Sequence, residues 1–431
     1  MIDRLQDTFS SGFVAGLVAV FTLFLGQPLV SPAAGADSRD VASLTDQHIR
    51  VFEAKAAQDP ARVEVRNRLA RLYIQKSREN GDASYFTRAE KLLTKSLELE
   101  PANVDTLGLQ AWLSLYKHEF QEAAAWAEKA RNRRPNESWN YGVLSDAYLE
   151  MGEYAKAVSY TQQMVDLRPD QGSYSRAAHF RSLHGDSEGA VELWLMAIRA
   201  GTHTGEYTAW CKVELGDEYF NHGKFREAEE AYTGALQSFP GYHRGLAGMA
   251  KVREAAQQWK EAADFYQHAI GVVPYPQYVS ALGDVYREMG QPENAEQQYQ
   301  LVEHIAKLDR LNKVLYNREL ALFYADHGRN LDEALRLAHK ELEIRKDIYT
   351  YDILAWASYQ NHRYTEAWKA VKTAMKLGTQ DARILFHAGM IARALGHRKE
   401  AKAYLSQALA INPAFHPTHR KTAQQILERL E

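Results

Sequence analysis

The chain has 431 residues, with 52 Lys and Arg against 55 Asp and Glu and a formal net charge of −3. That balance offers no electrostatic footprint for a nucleic acid and excludes it as a partner class, while a single cysteine, Cys211, excludes a disulfide framework within the chain. The length exceeds what one compact core uses but suits an elongated array.

The first expected element is a leader. Thr8 to Ala36 carries no charged residue, and Gly12–Gly26 is a 15-residue apolar run, short for a membrane span. Pro28 and Pro32 follow, then Ala34-Gly35-Ala36, an A-x-A cleavage pattern. Residues 1–36 are expected to be a bacterial secretory signal peptide, the alternative being an uncleaved inner-membrane tether through residues 12–26. Arg4 is offset by Asp3 and Asp7, so the residues before the run favour neither. Either way the remainder is expected to be exported, periplasmic or anchored facing outward.

Residues 37–60 follow, where Ile49, Phe52 and Pro60 have the pattern of a lone second helix and imply an N-terminal capping helix. From 61 to 414 the chain is periodic. Alanine returns at Ala89, Ala123, Ala157, Ala190, Ala228, Ala262, Ala295, Ala334, Ala367 and Ala401, with gaps of 34, 34, 33, 38, 34, 33, 39, 33 and 34 residues. A period near 34 is the mark of a helical repeat array.

The period has an internal grammar, clearest between Leu215 and Pro240. Leu215, Gly216 and Tyr219 share one face of a first helix; Ala228, Tyr232 and Ala235 share one face of a second. Gly223 lies between them, where a helix end needs a residue tolerant of positive φ. Pro240 lies past the second helix, which it cannot continue. Leu282, Gly283, Tyr286, Gly290, Ala295 and Tyr299 repeat the pattern, as do Leu144, Tyr148, Gly152, Ala157 and Pro169. Further copies are Ala250, Ala262, Tyr266, Ala269 and Pro274, then Gly389, Gly396, Ala401, Ala408 and Pro413.

This unit resembles the tetratricopeptide repeat family, with its Leu-Gly-x-x-Tyr, Ala, aromatic, Ala, Pro pattern, over roughly residues 61–414. The resemblance implies an all-α fold: an α-solenoid wound as a right-handed superhelix of about ten helix–turn–helix units. The first repeat has seven extra residues before Ala89, and the polar stretch Gln75–Arg88 is expected to be a long inter-helix loop. The 38-residue gap falls at Gly201–Trp210, with Gly201, Thr202, Thr204 and Gly205 as breakers; the 39-residue gap falls near Lys307–Arg318. The fourth repeat lacks the first-helix tyrosine and terminal proline. Residues 415–431 are expected to be a polar C-terminal capping helix.

Catalytic chemistry is not evident. No phosphate-binding loop, dinucleotide fingerprint, nucleophile elbow or H-E-x-x-H motif is present, so no enzyme, catalytic residue or cofactor is expected. No metal is expected either: Pro417 separates His416 from His419, and His179 and His184, or His387 and His397, fall on different faces. Pairs such as Glu229 and Glu230, or Glu341 and Glu343, are expected to be solvent-facing charge, and Cys211 a semi-buried small apolar residue.

The family lines its concave groove with set positions of each first helix. By resemblance, these are here Trp112, Trp139, Asp146, Trp210, Asp217 and Phe220, then Arg244, Lys251, Asp284, Arg287, Arg318, Tyr349, Asp352, Trp356, Tyr359 and Arg393. Exposed Trp and Tyr are frequent anchors for partners, and Trp356 with Tyr359 is the expected anchoring pair. Trp126, Trp194 and Trp368 fall on second helices and are expected to pack or face outward. The family's carboxylate clamp is not reproduced, since Asn67 and Arg71 in the first repeat are followed by Gly108 and Trp112 in the second. The expectation is an exported scaffold that binds another protein in its concave groove, for envelope assembly, secretion or maturation. The alternatives are a small molecule in the groove, or a non-catalytic arm of an enzyme complex.

Overall fold

Ten small buried residues organise the fold. The repeating alanines are fully buried, nine at 0% exposure and Ala295 at 2%, each where a second helix crosses the first helix of its own repeat. The computed structural model describes residues 44–311 and 317–430. The expected leader, residues 1–36 with the tether at 12–26, lies outside the described residues, as do residues 312–316 of the second seam.

The described residues form 22 α-helices and no strand, all within one unit, Ser43–Glu431. The first is α1 (Leu44–Gln58). Ten antiparallel pairs follow: α2 (Val63–Asn80) with α3 (Ser84–Leu99), α4 (Val104–Tyr116) with α5 (Phe120–Arg133), α6 (Ser138–Glu150) with α7 (Tyr154–Leu167), and α8 (Gln171–Leu183) with α9 (Ser187–Ala200). Next come α10 (Glu206–Asn221) with α11 (Phe225–Ser238), α12 (His243–Ala255) with α13 (Trp259–Val272), and α14 (Pro276–Glu288) with α15 (Pro292–Leu311). The last are α16 (Asn317–Asp326) with α17 (Leu331–Ile344), α18 (Ile348–Gln360) with α19 (Tyr364–Ala374), and α20 (Ala382–Ala394) with α21 (Arg398–Ile411), followed by α22 (His419–Leu430). The chain is an all-α solenoid.

Close helix approach explains the other signature residues. A Cβ on Gly216 would lie 2.5 Å from the Tyr232 ring, and one on Gly283 would lie 2.5 Å from the Tyr299 ring. The aromatic of the second helix therefore occupies the space a side chain would need. Leu215, Tyr232, Ala235 and Ala262 are buried, while Tyr219 and Tyr286 pack half-buried at the edges of the apolar clusters.

The first-repeat insertion is not a loop. The helix α2 runs 18 residues to Asn80, so Gln75–Asn80 extend it and the connection is only Gly81–Ala83. Polar character misled because these side chains find partners rather than solvent: Lys76 reaches Asp46 at 2.7 Å, Arg78 reaches Glu206 at 2.9 Å, and Thr45 donates to Glu79 at 2.6 Å. At the 38-residue gap the chain does break, over residues 201–205. The helix α10 also grows to 16 residues, and Gly205 N–H donates to Ser238 O at 3.0 Å. At the 39-residue gap, α15 extends to 20 residues.

Successive turns of the solenoid touch. The turn inside the first repeat packs on the connection five to six repeats further on, where a Cβ on Gly81 would meet Val273. The same offset recurs at Gly152 against Lys346, Gly185 against Gly378, and Gly223 against Ile411 and Pro413. Lys346 N–H donates to Glu150 O at 2.8 Å, Ile348 N–H to the Tyr154 hydroxyl at 2.8 Å, and Asn412 Nδ2 to Phe220 O at 2.9 Å. Ile348, 0% exposed, closes an apolar joint with Phe180 and Leu183. The first helices thus face a narrow lumen rather than an open groove.

Candidate functional site

The lumen differs along its length. Towards the N-terminal half it holds a cavity of about 1630 Å³, lined by α2, α4, α6, α8, α10 and α12, with Arg318, Arg345, Asp347 and Tyr349 from the following turn. Towards the C-terminal half, Trp356, Phe386, His387 and His419 are buried.

Charges in the cavity are mostly paired. Arg176 grips Asp146 through two bonds of 2.6 and 2.8 Å, and Arg78 pairs with Glu206, to which Tyr242 also donates at 3.0 Å. Arg244 pairs with Glu214 at 3.1 Å, Arg318 with Asp347 at 3.0 Å, and Arg345 with Glu150 at 3.0 Å. Burial, opposed by Arg244, lifts the Glu214 carboxyl to about 7. Burial, aided by Arg345 and Arg318, pushes His118 down to about 3.

One corner is left unsatisfied. Arg71 makes no ion pair or hydrogen bond among the described residues; its guanidinium sits 5.7 Å from the centroid of the Trp139 ring. Burial, with Arg68 beside it, draws its pKa down from the ordinary arginine value. Trp139 Nε1 is buried without an acceptor. Trp112 meets Trp139 edge-on at 5.2 Å and Tyr116 at 5.6 Å. An aromatic wall thus stands beside an exposed guanidinium that lacks an acceptor, while the Trp139 N–H is packed out of reach of solvent.

The expected site residues divide between these regions. Trp112, Trp139, Asp146, Trp210 and Tyr349 line the cavity, with Trp210 stacked on Tyr207 at 5.5 Å and 9°. Asp217 lies elsewhere, held by Tyr232 and Lys251 at 2.8 Å each. Arg287 pairs with Asp284 at 2.9 Å and stays partly exposed.

Trp356 requires a correction. It is 3% exposed, stacked between Tyr359 at 4.9 Å and His387 at 4.3 Å, and its Nε1 donates to Asp326 at 2.7 Å. An indole committed on both faces and at its nitrogen presents nothing to a partner, so Trp356 with half-buried Tyr359 is not an exposed anchoring pair. On the second helices, Trp194 packs inside, while Trp126 and Trp368 lie half-buried under Lys129 and Lys372.

Two histidines that the sequence leaves apart are brought together. His387 is 0% and His419 7% exposed; they are not solvated, and the turns bring them together with Asp326. The sequence clue was the repeat offset: Asp352 and His387 stand 35 residues apart, at equivalent positions of neighbouring first helices, and bond at 2.8 Å. Cys211 is fully buried, which pushes its thiol up to about 12. Among the carboxylates, Glu341 is buried and accepts from Asn317 at 3.1 Å rather than facing solvent.

Known proteins resemble the chain in sequence. The tetratricopeptide repeat family matches residues 140–171, 213–279 and 382–415. A TPR repeat-containing protein of Bacillus subtilis (strain 168), YpiA, is 28% identical over 229 residues, 52% of either chain. A TPR repeat-containing protein of Methanocaldococcus jannaschii, MJ1428, is 21% identical over 359 residues, 76% of this chain and 61% of its own. The chain thus spans between half and two thirds of the length of these relatives. Among solved structures, the type IV pilus biogenesis factor PilW aligns with a TM-score of 0.41 at 15% identity, over 48% of this chain and 93% of its own.

Proposed function

Because the chain belongs to the tetratricopeptide repeat family, we propose that it is an exported interaction scaffold that holds a segment of another protein in the N-terminal half of its lumen. The observation that carries this reading is the unpaired guanidinium of Arg71 beside the Trp139 ring, on an aromatic wall lining a cavity of about 1630 Å³. Arg71 is exposed, and a carboxylate or backbone carbonyl of a bound segment supplies the acceptor that its guanidinium lacks. The rings of Trp112, Trp139 and Trp210 offer large, rigid contact area beside it. Export rests on the leader pattern in residues 1–36, and points to a partner in the bacterial envelope. A scaffold role needs no catalytic group.

The test is capture from the producing cell's envelope fraction with the tagged full chain, against Arg71→Gln combined with Trp139→Phe. A captured protein that falls at least tenfold with the double variant, at unchanged helical content, is the expected result. Equal capture by both proteins would remove the lumen from the reading. A small carboxylic acid released from the native protein, with no protein partner, would assign the cavity to a small ligand instead.

A further inference from the structure

The C-terminal repeats contain a set of buried side chains that packing alone does not explain. Asp326 ends α16, His387 lies mid-way along α20, and His419 begins α22. One potential ligand atom from each lies within 4.8 Å of the other two. We propose that Asp326, His387 and His419 form a binding site for a divalent first-row transition cation, zinc above all, which fastens the terminal helix α22 to the last repeats.

The first support is what His387 does with its two nitrogens. Its Nδ1 lies 2.8 Å from Asp352 Oδ1, and Asp352 is itself fully buried. With Nδ1–H donated to that carboxylate, Nε2 carries the free lone pair. Nε2 is buried with no hydrogen-bond partner. A carboxylate behind a histidine whose other nitrogen is free is the arrangement that orients metal-bound imidazoles and raises their basicity. His419 repeats the theme: its Nδ1 is buried without a partner, and its Nε2 is 3.6 Å from Asp326 Oδ1, beyond a hydrogen bond. Two fully or nearly fully buried imidazoles beside one carboxylate therefore each keep a nitrogen outside any hydrogen bond.

The surroundings hold the ligands still. The Trp356 ring stacks on His387 and its Nε1 binds Asp326 at 2.7 Å; Phe386 stacks on His419 at 4.6 Å. Two imidazoles and a carboxylate suit a borderline ion such as zinc rather than magnesium or calcium, which take oxygen ligands. Zinc with bonds of about 2.0–2.2 Å sets its ligands about 3.4 Å apart. His419 stands where the non-helical segment 412–418 meets α22, so that connection can supply the remaining approach. Three protein ligands leave a fourth position for water.

The experiment uses the full chain, stripped with chelator and reloaded with Zn²⁺ or Co²⁺. One ion per chain should survive gel filtration, and bound Co²⁺ should give the visible bands of a low-coordinate site. It should also quench tryptophan emission, a loss that Trp356→Phe largely removes while leaving the stoichiometry intact. His387→Gln and His419→Gln should each lower retained metal at least tenfold. Asp352→Asn, which touches no metal, should weaken affinity by about 10- to 100-fold, and His397→Gln, on the exposed surface, should change nothing. Retention below a tenth of an ion per chain would overturn the proposal, as would equal retention by both histidine variants. Should those variants fail to fold, Co²⁺ bound to the native chain without quenching Trp356 would place the metal elsewhere and overturn it equally.

Discussion

Glu254 shows how far one side chain departs from its ordinary chemistry in this lumen. Burial, with Asp284 nearby, lifts its carboxyl from 4.5 to about 8, and its Oε1 has no hydrogen-bond partner. An acid raised on folding binds more protons folded than unfolded between those two values. Its stabilising contribution is complete below about 4.5 and is lost as pH rises through about 8. Glu254→Gln, which keeps the shape of the protonated form, should change stability by less than about 1 kcal/mol at pH 5 and should raise it at pH 8.5 by about 4 kcal/mol. Thermal melts at the two pH values check this; a difference independent of pH would assign the effect to packing. Residue type and repeat offset do not show such a group in the sequence, because burial by several helices sets its pKa.

At the scale of helices and turns, the sequence was most legible. The alanine period located every helix pair, since a small residue is required wherever the two helices of a repeat cross. The turns within repeats follow the same logic, each with a residue at positive φ near its start, and that between α16 and α17 with a second, Asn330, at φ 42. Seven are glycines, and His118, Gln257 and His362 hold that conformation at φ 60, 59 and 60. Gly290 has φ 74, and a Cβ there would meet nothing within 4 Å. Gly290→Ala therefore isolates the backbone cost and should lose about 1 kcal/mol. The exposed Gln257 is the converse case, and Gln257→Gly should gain about 0.5–1 kcal/mol, the relief of strain exceeding the added chain entropy. Chemical denaturation of both variants checks the pair, and equal signs would rule out backbone strain as the cause. The misread element is α2: its extension is polar because it meets α1 and Glu206 rather than solvent, and Glu206 lies 128 residues further along the chain.

Across the whole Ser43–Glu431 unit, the decisive feature is the contact between turns. Arg345 bridges it, 3.0 Å from Glu150, with its guanidinium 5.2 Å from the centroid of the Phe120 ring. Removing one partner of a mostly buried pair leaves the other charge desolvated. Arg345→Ala should cost about 1–3 kcal/mol, below the fully buried range because Glu150 keeps some solvent. Amide exchange at Lys346 and Ile348, whose N–H groups bond across the seam to Glu150 and Tyr154, should then accelerate at least tenfold. Unchanged exchange at both amides would show that the apolar joint at Ile348 holds the turns together alone.

The sequence by itself determined the repeating unit, its helices and turns, and the residues that let helices approach, because these depend on contacts within one or two repeats. It also placed Trp112, Trp139 and Trp210 on the inner face. Only the tertiary structure decided that the turns close on one another, that Trp356 is committed inside, that Arg71 and Trp139 lack acceptors, and that Asp326, His387 and His419 meet. Small rotations from one repeat to the next add up along the solenoid. Contacts between residues such as Phe220 and Asn412, 192 positions apart, follow from that sum and leave no mark in any single repeat.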